Sequence, residues 1–399
     1  MVTEKGLFFG LVPSSDVLKG TKPPFFVTVL DRVKENCRAF TVPARDVFPD
    51  APIFYSVKTN TQPFVLKVIA IAGLGAQVVS PREFFMAVDA GFPADKIIVD
   101  GIFRDETSYD LVKDHDGLLF IESWTSNVSK LQQACERFGR KARLGLRFKF
   151  PKKDNRLGFS LADEDAMNAL GAAIGSGDRV RPVMLACHPG SQVQDPHDHV
   201  VACKTLLDAH DYLEQRQGMP FPKPVLLNLG GGFAEPEMAT PARLAGTMHA
   251  IKDTMTANHS LKDFAVCFEP GRYIVGDASA IVSTMVETFR DDAGARWALL
   301  DVGMDVLTRF ANSHYRFFSM EHPDAPHGTP ISFQGRVPTE QDVFGKGVHF
   351  IKDAKAGEHV LLMNCGAYST TFSMRFSFEQ PRCVVVDGDA YSVHELTVP

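Results

Sequence analysis

The sequence predicts an α/β protein: a (β/α)8 TIM-type barrel followed by a C-terminal antiparallel β-sandwich or β-barrel domain. Two observations carry this. Between residues 53 and 269, short apolar runs recur with helix-length amphipathic spacers between them. After residue 275 the texture changes to strand-like runs separated by Gly, Pro and Asp turns, with little helical periodicity.

The runs are IFYSV from 53, AQVVS from 76, KIIVD from 96, LLFIES from 118, ARLGLRF from 142, VMLAC from 183, VLLNL from 225 and FAVCFE from 264. Each is close to continuously apolar, as parallel strands covered on both faces must be. Spacers such as PREFFMAVDAGF carry the 3.6-residue period. A doubly wound sheet also holds parallel strands, but eight in one unbroken alternation favour the barrel. The later runs AIVSTMVETFRD, WALLDVGM, VLLMNCGAYSTTF and CVVVDGDAYSVHEL read as antiparallel strands. PFFVTVL at 24–30 precedes the barrel and is expected to join them. The predicted domains are thus 32–275 for the barrel, with 1–31 and 276–399 forming the β domain.

Composition narrows the partners. The chain has 399 residues, 45% of them hydrophobic and 23% charged, with a formal net charge of −6. That charge leaves no basic footprint for nucleic acid, and no apolar run reaches the roughly 18 residues needed to span a bilayer. The N-terminus lacks the pattern of a secretory signal, so the expected location is the cytoplasm. Seven cysteines are scattered without a C-x-x-C pair, which reads as thiol usage and not as a disulfide framework or zinc site. His197 and His199 lie close together in HPGSQVQDPHDHV, but without an i, i+4 pair they are not read as metal ligands, and no metal is expected.

In a barrel, reactive groups collect at the C-terminal ends of strands. Lys58 ends the first run, His188 the sixth, Gly230, Gly231 and Gly232 the seventh, and Glu269, Pro270, Gly271 and Arg272 the eighth. Each alone has a plain structural explanation, such as a snorkelling lysine or a salt-bridged pair. Four at one face do not. Three glycines let backbone N–H groups approach a phosphate, with Arg272 and the Ser191 hydroxyl as further donors. No Lys-Ser/Thr follows the glycines, so this is not a Walker loop. A phosphorylated cofactor that also needs an amine and a carboxylate is pyridoxal 5'-phosphate, with Lys58 as the Schiff-base amine and Glu269 on the pyridine nitrogen.

IFYSVKTN, HPGSQ, LGGGF, EPGRYIVG and NCGAYSTTF together resemble the alanine-racemase-fold (fold type III) pyridoxal-phosphate decarboxylases, which act on diaminopimelate, ornithine, lysine and arginine. The resemblance runs from about residue 24 to the C-terminus. It implies a homodimer with shared active sites, a small amino-acid substrate, and no nucleic-acid or membrane partner. It also implies that Lys58 binds the cofactor covalently and that His188 stacks on its ring. Ser191, Gly230 to Gly232, Arg272 and Tyr368 then contact the phosphate, Gly271 lies in the same motif, Glu269 pairs with the ring nitrogen, and Glu83 and Arg147 support the cofactor.

Two segments bear on the substrate. In the resembling enzymes a Cys-Asp/Glu-x-x-Asp loop enters the partner's site; here GRVPTEQDVF retains Asp342 but has Pro338 for the cysteine and Thr339 for the acid, and Glu340 takes the acid's place if the loop is shifted by one. A neutral threonine opposite a buried ammonium predicts poor turnover of ornithine, lysine and meso-diaminopimelate. LLDVGMDVLTRFANSHY resembles the diaminopimelate branch, whose arginine and tyrosine grip the far end of the substrate. Arg309 and Tyr315 fill those positions, with Phe310 in place of the usual proline, which favours a distal carboxylate. The leading expectation is therefore an α-decarboxylase of an amino acid with a carboxylate-bearing or conjugated side chain, in a specialised pathway of natural-product or siderophore type. The alternatives are a diaminopimelate decarboxylase proper, a racemase or other pyridoxal-phosphate lyase of the same fold, and a non-catalytic regulatory homologue. A carboxylate at 269 speaks against a racemase, where an arginine is expected on the pyridine nitrogen.

Overall fold

The computed structural model describes residues 21–151, 156–307, 313–374 and 376–396. Among them, Cys37–Lys58 with Leu66–Tyr273 form one compact unit. Residues through Asn36, with Thr59–Val65 and those from Ile274 onward, form the other. Thr59–Val65 groups with the second unit because Thr59 O accepts from Tyr368 N (2.8 Å) and the Asn60 amide donates to Gly366 O (2.9 Å).

Strand β1 (Phe25–Val29) and helix α1 (Leu30–Val47) come first. The alternation that follows is β2 (Phe54–Ser56), α2 (Pro63–Ile71), β3 (Gly75–Val78), α3 (Pro81–Asp89), β4 (Ile97–Val99), α4 (Glu106–Asp110), β5 (Leu118–Glu122) and α5 (Thr125–Phe138). It continues with β6 (Ala142–Phe148), α6 (Glu164–Gly175), β7 (Val180–Cys187), α7 (His197–Gln217), β8 (Val225–Asn228), α8 (Pro241–Asn258), β9 (Phe264–Cys267) and α9 (Arg272–Val275). Strands β2 to β9 pair in sequence order, all parallel. The ring closes where Phe54 N donates to Phe268 O at 2.9 Å, beside the parallel bridge of Ile53 with Phe268. These eight strands coincide with the eight apolar runs, and the fold is the (β/α)8 barrel.

Every residue of β2 to β5 is buried, which is why those runs are apolar apart from the buried polar residues Ser56, Gln77 and Glu122. The barrel interior packs Phe54, Ile98, Leu119, Ile121, Met184 and Cys267, each large side chain contributing about 1.5–3 kcal/mol by leaving water. β3 opens on glycine for a steric reason: a Cβ at Gly75 would lie 2.5 Å from the Phe54 ring. Local chemistry sets the helix starts. Ser80 accepts from Glu83 N at 3.2 Å, and Pro81 occupies the first helical turn of α3. All seven cysteines are buried and unpaired as disulfides. No helix among the described residues is long and apolar enough to cross a membrane.

The second unit is a mostly antiparallel sheet that includes β1. β1 lies between β10 (Ser279–Arg290), antiparallel, and β16 (Arg382–Asp387), parallel. β10 also pairs with β11 (Arg296–Leu300) and β15 (His359–Met363), and β15 with β12 (Arg316–Ser319). β13 (Thr329–Gln334) runs parallel to β11 and antiparallel to β14 (Val343–Phe350), and β17 (Ala390–His394) edges β16. The two parallel pairings depart from a purely antiparallel sheet. Both join strands distant in the chain, where no hairpin forces the direction. Alternate residues Phe25, Val27, Val29, Ala280, Val282 and Leu361 build its core.

Candidate active site

Lys58 sits in the 3-10 turn Val57–Thr59 that ends β2, where the strand leaves the barrel. Its Nζ donates to Gln77 Oε1 at 3.0 Å. Gln77 is wholly buried in β3, and its Nε2 donates to the backbone oxygen of Asp100, just past β4, at 3.0 Å. Asp100 faces Arg147 of β6, with Nη1 to Oδ1 at 3.8 Å. A polar chain thus links the ends of β2, β3, β4 and β6.

Glu269 follows β9, is 5% exposed, and accepts from Asn228 Nδ2 of β8 at 2.6 Å. Burial pushes its carboxyl up to about 7, Asp100 adds to the rise, and Lys58, Asn228 and Arg147 oppose it. Asn228 also acts on the backbone, its Oδ1 accepting from Gly230 N at 2.9 Å. One amide therefore ties the carboxylate to the glycine loop.

His188, after β7, accepts from Gly190 N through Nδ1 at 3.0 Å, so a neutral ring carries its proton on Nε2. Burial holds its pKa well below the usual imidazole value, and the nearby charges of Arg147 and Lys58 act the same way. The glycine loop closes against this ring. A Cβ on Gly230 would stand 3.0 Å from the imidazole, one on Gly231 2.4 Å from Glu269 O, and one on Gly232 2.5 Å from Gly190 O. Gly230 and Gly232 also have φ of +66° and +87°, which favour glycine. Behind the loop, His199 is buried, stacks on Phe233 at 4.4 Å, and pairs its Nε2 with Gly231 O at 3.1 Å. Burial lowers His199 to about 4, so the neutral ring donates to that carbonyl.

Glu83 opens α3 and accepts from Val79 N at 2.8 Å. Burial raises its pKa, and the Val79 N–H, Lys58 and Arg82 pull it back. Arg272, 4% exposed at the start of α9, donates to the buried Glu235 at 3.1 Å, and Gly271 before it is buried. Ser191 is exposed in the loop after β7. Lys58, Glu83, Arg147, His188, Gly230 to Gly232, Glu269 and Arg272 thus meet at one end of the barrel. Gln77, Asp100, Asn228, His199 and Glu235 join them without a motif of their own in the sequence. The available signal was a polar residue interrupting or ending an apolar run, since a buried polar group needs a partner.

The remaining residues belong to the β unit. Tyr368 has φ +63° and packs its ring near Phe372. Tyr315 meets Phe344 edge-on at 6.0 Å. Arg309 lies outside the described residues. Pro338 and Glu340 are exposed, and Thr339 Oγ1 accepts from Gln341 N at 3.3 Å. Asp342 is fully buried, its two oxygens accepting from Met304 N and Val337 N at 2.8 Å each. That carboxylate shapes its own loop.

The fold and donor set define a pyridoxal-phosphate enzyme: a lysine amine, a buried carboxylate, a neutral imidazole and a glycine loop whose Cβ space is already taken. The model of the pyridoxal-binding domain of pyridoxal-dependent decarboxylases matches residues 30–276, and the chain belongs to that family. It is a pyridoxal-phosphate-dependent amino-acid carboxy-lyase. The diaminopimelate decarboxylase of Methanothermobacter thermautotrophicus is 27% identical over 96% of this chain and 90% of that protein. The lysine/ornithine decarboxylase of Selenomonas ruminantium is 25% identical over 92% of this chain and 91% of that protein. Among solved structures, diaminopimelate decarboxylase from Helicobacter pylori complexed with L-lysine superposes with a TM-score of 0.79 at 19% identity, covering 94% of each chain.

Proposed function

We propose that the protein decarboxylates the α-carbon of an amino acid whose far end carries a carboxylate, with meso-diaminopimelate as the leading candidate. The observation that carries the decarboxylase part is Glu269, an acid held by Asn228 where the cofactor's ring nitrogen is expected. Bound pyridoxal phosphate supplies the electron sink. The Glu269 carboxylate, held by Asn228, would pair with the protonated ring nitrogen and so keep the sink electron-poor. His188, neutral, offers a flat face without adding charge. The N–H groups of Gly231 and Gly232 and the side chains of Arg272 and Ser191 would hold the phosphate.

For the substrate, support comes from the relatives named as diaminopimelate decarboxylases, which match nearly the whole chain. The Arg309–Tyr315 segment agrees, because a guanidinium grips a carboxylate in bidentate fashion. These relatives give no support to a specialised pathway, and the altered loop is read as a change in how the distal ammonium is met: Glu340, exposed beside Thr339, takes that part. Asp342 serves the loop's turn. The enzyme works as a homodimer in the cytoplasm, with the 335–344 loop lent to the partner.

The test is CO2 release from meso-diaminopimelate, lysine, ornithine, arginine, glutamate and carboxylate-bearing conjugates. The expected result is highest kcat/KM for meso-diaminopimelate. Efficient turnover of lysine or ornithine alone would contradict the distal-carboxylate reading.

A further inference from the structure

Among the described residues, Gln77 is the side chain that receives a hydrogen bond from Lys58 Nζ, and its geometry admits a single amide orientation. Its Nε2 lies 3.0 Å from the backbone oxygen of Asp100, which can only accept, so that nitrogen is the donor end. Oε1 then faces the Ser56 hydroxyl at 2.6 Å and Lys58 Nζ at 3.0 Å, both of which donate. Ser56 is itself fixed, its N–H reaching Pro270 O at 3.2 Å. Gln77 and Ser56 are 0% and 5% exposed, so water does not compete for these bonds.

We infer that Gln77 is a positioning residue for Lys58: its carbonyl oxygen receives the lysine amine whenever that amine is not bonded to the cofactor, and aims it for attachment. This rests on the reading of Lys58 as the anchoring residue. In that step the Lys58 nitrogen bonds to the aldehyde carbon of pyridoxal phosphate, and the carbonyl oxygen leaves as water with two amine hydrogens. No oxidant or reductant is needed. An uncharged acceptor suits this role, because a carboxylate at the same place would favour the ammonium form, which does not attack. The charged groups around Lys58 are Glu83, Asp100, Arg147 and Glu269, and of these Asp100 also meets Gln77, whose Nε2 lies 3.5 Å from its Oδ2.

The test separates attachment from binding. Apoprotein is mixed with pyridoxal phosphate, quenched with borohydride at intervals, and the modified peptide is quantified. Affinity for pyridoxine 5'-phosphate, an alcohol that forms no bond to lysine, is measured in parallel by calorimetry. Gln77→Leu is expected to slow attachment about tenfold or more, as loss of a hydrogen bond to a charged or polar donor implies, while pyridoxine-phosphate affinity stays within about twofold. Ser56→Ala, which loosens Gln77 without removing it, is expected to slow attachment about threefold, and the double variant to be no slower than Gln77→Leu alone. Attachment at the wild-type rate in Gln77→Leu overturns the inference. So does a double variant whose losses multiply. If Gln77→Leu loses both properties through misfolding, Ser56→Ala decides: unchanged attachment there overturns the inference. A wild-type label found at another lysine instead overturns the anchoring role of Lys58.

Discussion

At Glu269, burial and Asp100 outweigh the pull of Lys58, Asn228 and Arg147, so the cofactor-free protein binds a proton there that the unfolded chain lacks between pH 4.5 and about 7. Folded-state stability from this group therefore falls as pH rises through that window. Thermal melts of the apoprotein from pH 5 to 8 should show it: wild type loses more stability across the range than Glu269→Gln, which carries no titrating group. With cofactor present the same substitution is expected to lower kcat by on the order of 10²-fold while changing cofactor affinity far less, because the lost charge acts on the ring nitrogen and not on the phosphate. Steady-state kinetics beside a cofactor titration checks the split.

Among the elements, the glycine loop and the β4–β5 edge each depend on one buried polar group. His199 holds the loop through Gly231 O, and His199→Leu leaves that carbonyl without its partner. The expected cost is about 1–3 kcal/mol in urea unfolding, together with weaker cofactor retention. At the other edge, Arg104 and Glu122 are both 0% exposed at the side chain and bond at 3.2 Å, with Tyr109 and Asn127 completing Glu122. Burial raises the Glu122 pKa and Arg104 holds it down. Arg104→Met strands a buried acid and is expected to destabilise by about 3–5 kcal/mol, read by denaturant titration. The strands themselves were legible because each is an apolar run closed by a turn, and Lys58, His188 and Glu269 were legible because they stand where such runs end. The polar contacts made by Gln77, Asp100 and Asn228 were not. They join residues 19 to 41 positions apart, and pairing of that range is invisible in a single sequence. Nor could sequence show that Arg272 is already paired with Glu235, or that Asp342 is turned onto its own loop.

For the molecule as a whole, the family assignment and the barrel with its added sheet account for cofactor chemistry, and the proposed choice of substrate falls to segments of the β unit. Within that unit Gly366 is the most constrained point, since a Cβ there would fall 1.7 Å from Val275 O. Gly366→Ala is expected to lower the melting temperature sharply and to yield little soluble protein. The exposed side chains Phe372, Met374, Phe376 and Phe378 form an apolar run consistent with the proposed dimer, which sedimentation equilibrium checks. The role of Lys58 in the reaction is read from release of labelled CO2 from carboxyl-labelled meso-diaminopimelate by the cofactor-loaded protein and by Lys58→Ala. Cofactor-dependent release by the wild type is expected, with loss of about three orders of magnitude or more in the variant, on the order of what removing a catalytic group costs. Release that persists undiminished in Lys58→Ala would contradict that role.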